Sequence, residues 1–327
     1  MSSAASVAFG RPTFLRQRSL LELAQTYGVI GVLVILGVVA SLSFPAFAGP
    51  SNISSIITAA CFLGLITIGQ SLVVISGGID LSVGSMVGLG TVAAALASPY
   101  GWFWALLAPV VAGTLMGFAN GLLIGKAKMA PFIVTLCGLL GLKGIALVLA
   151  PTSIVIKNSD FSAIGNESFL GISNLIWILV IAFVIAGLVL NRTPFGSNIF
   201  AVGGNEDAAR MMGTDVARTK VAVYTISGAL SGLAGALLAS RLSSGVSTLG
   251  TQYELKSIAA AVIGGVLLTG GVGTMLGALC GVLLIGVIQN IITQIGTLNA
   301  YYQDLVTGLF LVLAVVIQGV MSNRRSP

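Results

Sequence analysis

The chain has 327 residues, of which 56% are hydrophobic and only 7% are charged, and its formal net charge is +6. Because soluble domains carry about 25% charged residues, this composition excludes an ordinary soluble fold. Histidine is absent, which removes the most common general base and the most common metal ligand. We therefore predict no catalytic residue, no metal site and no cofactor bound by this chain.

Apolar runs of about 20 residues recur along the chain, and each is long enough to cross a hydrocarbon core about 30 Å thick as a helix. The runs are continuous rather than alternating, which favours helices over a β-barrel. We predict an all-α polytopic membrane protein with about ten transmembrane helices, in a domain at 27–320 between a terminal segment at 1–26 and a tail at 321–327. The predicted spans are 27–44, 53–76, 83–98, 103–125, 130–151, 172–190, 220–241, 256–270, 274–295 and 302–320.

The first span has a second interpretation as a cleaved signal peptide. A basic segment precedes it and PAFAG follows it, where Ala46, Phe47 and Ala48 resemble a signal-peptidase site. However, the run is longer than a usual signal core, and the rest of the chain is itself embedded in the membrane. We therefore favour an uncleaved first span.

The basic residues predict the orientation of the chain. An even number of spans places both termini on one side, and eleven of the fifteen Lys and Arg residues fall on that side: Arg11, Arg16, Arg18, Lys126, Lys128, Arg192, Arg210, Arg218, Lys220, Arg324 and Arg325. Because cytoplasmic loops carry the excess of Lys and Arg, we predict that both termini are cytoplasmic. The net charge then reflects topology rather than nucleic-acid binding, the loop at 157–171 is external, and the loop at 191–219 is internal.

The internal loop contains a predicted short helix within GGNEDAARMMG, residues 203–213. Asn205 is a suitable N-cap, Glu206 and Asp207 lie in the first turn, and Gly213 can end the helix. A helix of about eight residues is marginal alone in water, so it must pack against something. Its apolar residues either pack on the protein's own internal face or insert into a groove on a cytosolic partner; they are Ala208, Ala209, Met211 and Met212.

Four stretches together resemble the ribose/xylose/arabinose/galactose branch of the bacterial ABC importer permeases. They are SGGIDLSVGS at 76–85, AVGGNEDAARMMG at 201–213, ASRLSSGVSTLGTQYEL at 239–255 and SIAAAVIGG at 257–265. The resemblance covers roughly residues 21–318 and is closest to permeases for ribose-like pentoses or galactofuranose.

The resemblance implies a permease subunit of the bacterial inner membrane, paired with a second permease as a homodimer or a heterodimer. A periplasmic sugar-binding protein would deliver the sugar, and cytosolic ATPase subunits would drive its import. The nearest match to a phosphate-binding loop, NGLLIGKA at 120–127, lacks the first Gly and the Ser or Thr that would reach the metal. ATP hydrolysis is therefore expected on a separate subunit.

In that family the loop between the sixth and seventh spans carries a coupling helix that docks into the ATPase. The resemblance assigns ATPase coupling to the matching positions Gly203, Gly204, Asn205, Glu206, Ala208, Ala209, Met212 and Gly213. Glu254 and Lys256 are assigned to a second role, the docking of the binding protein on the external face. Relatives commonly read YELD where this chain has YELK, so Lys256 would alter that docking or mark a subunit specialised for one half of a heterodimer.

Sugars are neutral, and a path for them needs hydrogen-bonding groups more than charge. The intramembrane amides and hydroxyls either line this path or bond neighbouring helices; they are Thr67, Gln70, Asn120, Thr135, Gln289 and Asn290. Asp80, with Ser76 and Ser82, follows a span that should end near the cytoplasmic side. Asp80 is interpreted as a cap of the third span, accepting hydrogen bonds from the amides of Ser82 or Val83, or as a gate at the inner mouth of the path.

Lys143 lies midway along the fifth span, where an ammonium group needs a partner. It forms either a structural pair, with Asp80 as one conceivable carboxylate, or part of the wall of the path. Two alternatives of another class, a self-sufficient secondary transporter and a passive facilitator, also fit a polytopic chain. An ion-driven carrier usually needs several ionisable groups deep in the bilayer, and their scarcity here favours the ABC permease.

Overall fold

The structure is a computed structural model that describes residues 13–296 and 300–323. In those ranges the chain forms thirteen α-helices. They are α1 (Thr13–Ser43), α2 (Pro50–Ile75), α3 (Val83–Ala97), α4 (Trp102–Gly125), α5 (Pro131–Leu149), α6 (Ser159–Asn166), α7 (Asn174–Arg192), α8 (Pro194–Gly204), α9 (Glu206–Met211), α10 (Val216–Leu242), α11 (Tyr253–Ile263), α12 (Met275–Ile295) and α13 (Ala300–Asn323).

Short strands and a 3₁₀ turn at Ser98–Tyr100 accompany the helices. β1 (Ile154–Val155) pairs antiparallel with β4 (Ser244–Gly245), and β2 (Ser168–Phe169) pairs antiparallel with β3 (Ile172–Ser173). Helix α6 packs on the end of α10, where the Ser240 hydroxyl accepts a hydrogen bond from the amide of Gly165 at 2.8 Å. We call this end of the bundle the α6 end, and the opposite end, where α8 and α9 join α7 to α10, the α9 end.

Seven of the described helices are long and apolar enough to cross a membrane: α2, α3 with the 3₁₀ turn, α4, α5, α7, α10 and α12. Each of them matches one predicted span. The described apolar parts of α1 and α13, Gly28–Ser43 and Tyr301–Leu313, are too short to qualify. The all-α polytopic membrane architecture is confirmed at this level. Helix α1 already begins at Thr13, within the predicted terminal segment at 1–26, while residues 1–12 and 324–327 lie outside the described ranges.

The prediction of one continuous transmembrane helix at 256–270 is wrong. Helix α11 has 11 residues, which extend about 16 Å and cannot cross a bilayer alone. The chain before it passes from β4 through turns at 247–252 and lies against α3, where the amide of Val246 donates to the Thr91 hydroxyl at 3.0 Å. After α11 the chain turns through Gly271, whose amide donates to the carbonyl of Ile75 at 2.8 Å. A turn segment and a short helix thus replace one continuous helix.

Helix α10 lies at the centre of the bundle, against α2, α3 and α4. Its contact with α4 is made by small residues: a Cβ at Gly113 or Gly117 of α4 would meet the α10 backbone at Gly228 or Tyr224. Small residues let helices approach closely where the hydrophobic effect no longer drives association. Helix α2 is also central, and every residue in 60–75 is buried.

Candidate functional site

The segment between α2 and α3, residues 76–82, turns back into the bundle after the end of α2. Gly77 makes this reversal with a φ of +83°, a conformation that suits glycine. The amide of Gly78 then donates to the carbonyl of Val73 at 3.0 Å, and the Ser76 hydroxyl donates to the same carbonyl at 2.7 Å. The predicted helix break at the glycine pair is confirmed, but the chain beyond it does not stay near the α9 end.

Asp80 accepts three hydrogen bonds inside the bundle and is 1% exposed. The amide and hydroxyl of Ser82 donate to Oδ1 at 3.0 and 2.6 Å, and the hydroxyl of Ser227 on α10 donates to Oδ2 at 2.9 Å. Asn120 on α4 donates to the Ser82 hydroxyl at 3.1 Å. We call these four residues the Asp80 cluster; its Ser82 amide bond is the one that the cap interpretation predicted.

The depth of the Asp80 cluster differs from the sequence-based estimate. Ser227 lies about 16 Å along α10 from its start, and Asn120 about 7 Å from the last residue of α4. The estimate took Asp80 to lie at the level where α2 ends and therefore missed the reversal at Gly77. Asp80 is an interior group that bonds Ser82 and, on α10, Ser227, and Asn120 of α4 reaches it only through Ser82. Among the described residues, no ion pair joins Asp80 to Lys143.

The carbonyl of Ile79 fixes the same segment to two more helices. Thr135 on α5 and Tyr224 on α10 both donate to it, each at 3.3 Å. Thr135, Asn120, Ser82 and Asp80 are therefore brought together as the sequence suggested. Sequence reasoning missed Ser227 and Tyr224, although polar side chains within the predicted span at 220–241 were a usable signal.

Other candidate path residues lie apart from this cluster. The Thr67 hydroxyl donates to the carbonyl of Leu63 at 2.7 Å within α2. The Gln70 amide and the Ser71 hydroxyl are fully buried and have no hydrogen-bond partner in the described part of the chain. Asn290 exchanges amide hydrogen bonds with Asn52 at 2.9 and 3.2 Å, in the half of the bundle nearer the α6 end, and Gln289 precedes it on α12.

The start of α11 brings a second set of charged residues together. The carboxylate of Glu254 occupies the space that a Cβ at Gly84 would take, so the first turns of α11 and α3 touch. Lys143, exposed on α5, lies within electrostatic range of this carboxylate. Lys256 forms an ion pair with Asp304 on α13 at 2.9 Å. Lys143 therefore has Glu254, rather than Asp80, as its carboxylate neighbour.

The predicted helix in the loop at 191–219 is present as α9. The Asn205 side chain accepts a hydrogen bond from the amide of Ala208 at 2.9 Å, and Gly213 follows the helix with a φ of +87°. Glu206 is held by Arg210 at 3.1 Å and by Lys220 at 2.6 Å. The predicted capping is thus confirmed, on a helix of six residues that follows α8 directly.

The residues around α9 divide into buried and exposed groups. Ala209 is fully buried against Val202 and Val216, so it packs on the protein's own surface. Met211 and Met212 are 83% and 74% exposed, and Gly204, Asn205 and Gly213 are also exposed. Gly203 packs against the backbone of Ile75. Ala209 therefore packs on the protein's own internal face, whereas the insertion of Met211 and Met212 into a groove on a cytosolic partner stays a prediction.

The described residues provide three features: hydrogen bonds in the bundle interior, a group of charged residues at the start of α11, and the exposed short helix α9. No group of three or more Cys, Asp or Glu side chains that could hold a metal ion occurs in the described ranges, 13–296 and 300–323.

Comparisons with known proteins agree with this architecture. A family profile described as a branched-chain amino acid transport system permease component matches residues 52–315. The ribose import permease protein RbsC of Bacillus subtilis is 41% identical over 290 residues, covering 87% of this chain and 90% of that protein. The L-arabinose ABC transporter permease protein AraH of Azospirillum brasilense is 36% identical and covers 93% of this chain and 90% of its own length.

A further relative, the RbsC of Haemophilus influenzae, is 37% identical, with 90% of this chain and 93% of that protein covered. No solved structure shows a significant match. The relatives are permease subunits of sugar importers, which supports the ABC importer over the secondary transporter and the facilitator. The chain belongs to the family of permease components of ABC transport systems.

Proposed function

We propose that this chain is the membrane subunit of a bacterial ABC importer that carries a monosaccharide of the pentose or galactose type from periplasm to cytoplasm. The similarity to permeases named for ribose and L-arabinose, over about nine tenths of each chain, carries this proposal. It outweighs the amino acid named in the family description, because full-length relatives are closer evidence than a profile. The chain itself carries out no catalysis and binds no cofactor in this proposal.

The topology in this proposal places the chain in the inner membrane with the α9 end facing the cytoplasm. Helices α1 and α13 add two crossings to the seven apolar helices, and the turn segment at 247–252 with α11 makes the tenth. Both termini are then cytoplasmic, consistent with the excess of Lys and Arg at that end. The permease domain comprises 27–320, with the coupling loop at 191–219.

The partners in this proposal are cytosolic ATPase subunits, a periplasmic sugar-binding protein and a second permease, identical or related. Helix α9 is the ATPase contact, and its exposed methionines suit a groove because the thioether side chain adapts to irregular surfaces. In this proposal Ala209 packs α9 onto the rest of the chain and does not contact the ATPase. Lys256, with its side chain 17% exposed in an ion pair, is better suited to holding α11 in place than to docking a protein; Glu254 remains a candidate for docking or for the path.

Uptake by proteoliposomes tests the transport proposal. The chain would be reconstituted with the ATPase and the binding protein encoded beside it, and uptake of labelled D-ribose, L-arabinose, D-galactose and L-leucine would be measured. We expect ATP-dependent uptake of at least one sugar and none of leucine. Sugar uptake by this chain alone without ATP would contradict the ABC assignment, and leucine uptake would contradict the substrate class.

A substitution on α9 tests the coupling surface. In Met212→Asp the fold should be unchanged, because the side chain is exposed, and co-purification of the ATPase should fall. Met129→Asp is the matched control, since Met129 is exposed at the same end on the loop after α4. Ala209→Asp should instead lower thermal stability, because it buries a carboxylate. Full ATPase binding by Met212→Asp would show that α9 does not make the contact.

A further inference from the structure

A cavity of about 340 Å³ lies between α2, α11, α12 and the start of α13. Its lining begins near the α6 end, at Ser55 in the second turn of α2 and Thr293 close to the end of α12. It extends inward to Leu63, about 20 Å along α2. Small-molecule pockets range from about 300 to 1,000 Å³, so this cavity suits a ligand of few atoms.

The cavity combines an apolar floor with polar walls. Leu63 and Val282 form part of the floor, and Tyr253, Lys256 and Gln289 are among the polar residues that line the walls. An apolar surface with a few placed polar groups is the usual composition of a small-molecule site. The phenol ring of Tyr253 adds a flat apolar face of the kind that packs against the C–H groups of a sugar ring.

Most polar groups around the cavity already have partners within the protein. Asn290 is bonded to Asn52 and accepts from Gln294 at 2.8 Å, and Gln303 donates to the Thr293 hydroxyl at 3.3 Å. The Tyr253 hydroxyl and the Gln289 amide have no such partner in the described part of the chain. These two groups therefore remain available to a molecule in the cavity, with one hydroxyl donor or acceptor and one amide that can do both.

The charge of the cavity restricts its ligand. Lys256 is the charged residue in the lining, and Asp304 neutralises it at 2.9 Å. A phosphate or carboxylate would have to compete with Asp304 for the ammonium group and would be repelled by the carboxylate. A neutral polyhydroxylated molecule meets no such penalty.

We propose that this cavity is a weak binding site for a neutral monosaccharide, contained within a single permease chain. The proposal rests on the proposed sugar-import function and adds a place where the sugar is held on the α6 side of the bundle. Gln289 binds a sugar hydroxyl through its amide, and Tyr253 offers its ring and hydroxyl. The site selects against phosphorylated sugars through Asp304.

Thiol protection tests the site directly. Gln289→Cys would be made in a Cys137→Ser background, because Cys137 is exposed whereas Cys61 and Cys280 are buried. The purified chain in nanodiscs would react with sulfonatoethyl methanethiosulfonate, with and without D-ribose, L-arabinose or D-galactose. We expect at least one sugar to slow labelling by a factor of 1 + [sugar]/Kd, about twofold when the sugar concentration equals Kd.

Gln294→Cys is the matched control, because it lies on the same helix and outside the cavity lining. Its labelling should not respond to sugar, and D-ribose 5-phosphate should leave Gln289→Cys unprotected. A second variant, Ala59→Phe, adds a ring to the cavity wall and should abolish the protection of Gln289→Cys. Each variant must elute as a monodisperse species before its labelling is interpreted.

Three results would overturn the proposal: equal sugar effects at Gln289→Cys and Gln294→Cys, equal protection by the phosphorylated sugar, or a thiol at 289 that does not react at all. The last result would show that solutes do not reach the cavity. Uptake by the assembled importer separates this proposal from the function on which it rests. If sugar is imported without protection at 289, only the cavity site is wrong; if no sugar is imported, the function is wrong.

Discussion

Two carboxylates lie next to the starts of helices in this bundle, and their surroundings differ. Asp80 is 1% exposed and accepts three hydrogen bonds from Ser82 and Ser227. Glu254 is half-buried beside Gly84, within electrostatic range of exposed Lys143. The first carboxylate is buried and hydrogen-bonded within the fold, whereas the second is half-buried and lies near an exposed ammonium group.

Both carboxylates nevertheless lie where a helix begins inside the bundle. Helix α3 begins at Val83, just after Asp80, and α11 begins at Tyr253, just before Glu254. The first turn of a helix has unpaired amides and a partial positive charge, which a carboxylate stabilises. Glu254 lies in the first turn of α11, whereas Asp80 lies before α3 and binds the amide of Ser82, the residue that precedes the helix. Substitutions should therefore affect stability strongly at Asp80 and weakly around α11.

The largest effect is expected from Asp80→Ala. It leaves the Ser82 amide and the hydroxyls of Ser82 and Ser227 without their acceptor, and each lost hydrogen bond to a charged group costs about 1.5–3 kcal/mol. We expect the free energy of unfolding, measured by SDS titration, to fall by at least about 3 kcal/mol. Asp80→Asn should lose less, since its amide oxygen still accepts from Ser82.

Asp160→Asn, at an exposed position of α6, is the control for Asp80→Asn and should change stability little. Transport measured on Asp80→Asn separates the two roles considered for this residue. A structural cap predicts near-normal uptake per folded molecule, whereas a gate predicts impaired uptake with normal assembly. A stable Asp80→Ala would mean that the cluster does not hold the segment at 76–82.

An intermediate effect is expected from Gly84→Ala, where α3 and α11 touch. The added Cβ would meet the Glu254 carboxylate and lie 2.6 Å from the carbonyl of Gly250. The side chain can move away but the backbone cannot, so overpacking should cost about 1–3 kcal/mol. Gly144→Ala on α5 has no atom within 4 Å of the new Cβ and should be neutral or slightly stabilising.

Equal stabilities of Gly84→Ala and Gly144→Ala would indicate that the start of α11 is free to separate from α3. Transport kinetics then sharpen the comparison. If the first turn of α11 moves during transport, Gly84→Ala should lower the maximal uptake rate by more than the loss of folded protein explains.

The sequence predicted much of this fold because apolar runs report directly on membrane-crossing helices. The cap at Asn205 and the break at Gly77 and Gly78 were also predictable, since capping and turn residues act locally. The form of the predicted span at 256–270 was not, because a short helix that ends in a turn has the same apolar composition as one continuous helix. Its form depends on contacts with α3, such as the bond between Val246 and Thr91, that lie far away in the sequence.

The candidate site was predicted only in part, because some of its features also depend on contacts between segments that are distant in the sequence. Asp80, Ser82 and Asn120 were identified as intramembrane polar residues, but Ser227 was not, because a serine in a span rich in small residues resembles a packing residue. The depth of Asp80 required the reversal at Gly77 in three dimensions. Asp80 was one conceivable partner for Lys143, whereas the structure brings Lys143 within electrostatic range of Glu254, because charge alone does not distinguish two carboxylates at different places in the fold.

The smallest effect is expected at the ion pair between Lys256 and Asp304, which lie 2.9 Å apart with side chains 17% and 34% exposed. A double-mutant cycle with Lys256→Met and Asp304→Asn should give a coupling energy of about 1 kcal/mol, since partly exposed pairs contribute little. Lys157→Met, in the exposed loop before α6, is the control with no coupling to Asp304→Asn. A coupling energy as large as the loss in Asp80→Ala would show that the start of α11 is fixed as firmly as the Asp80 cluster, and the contrast between the two carboxylates would then be one of exposure alone.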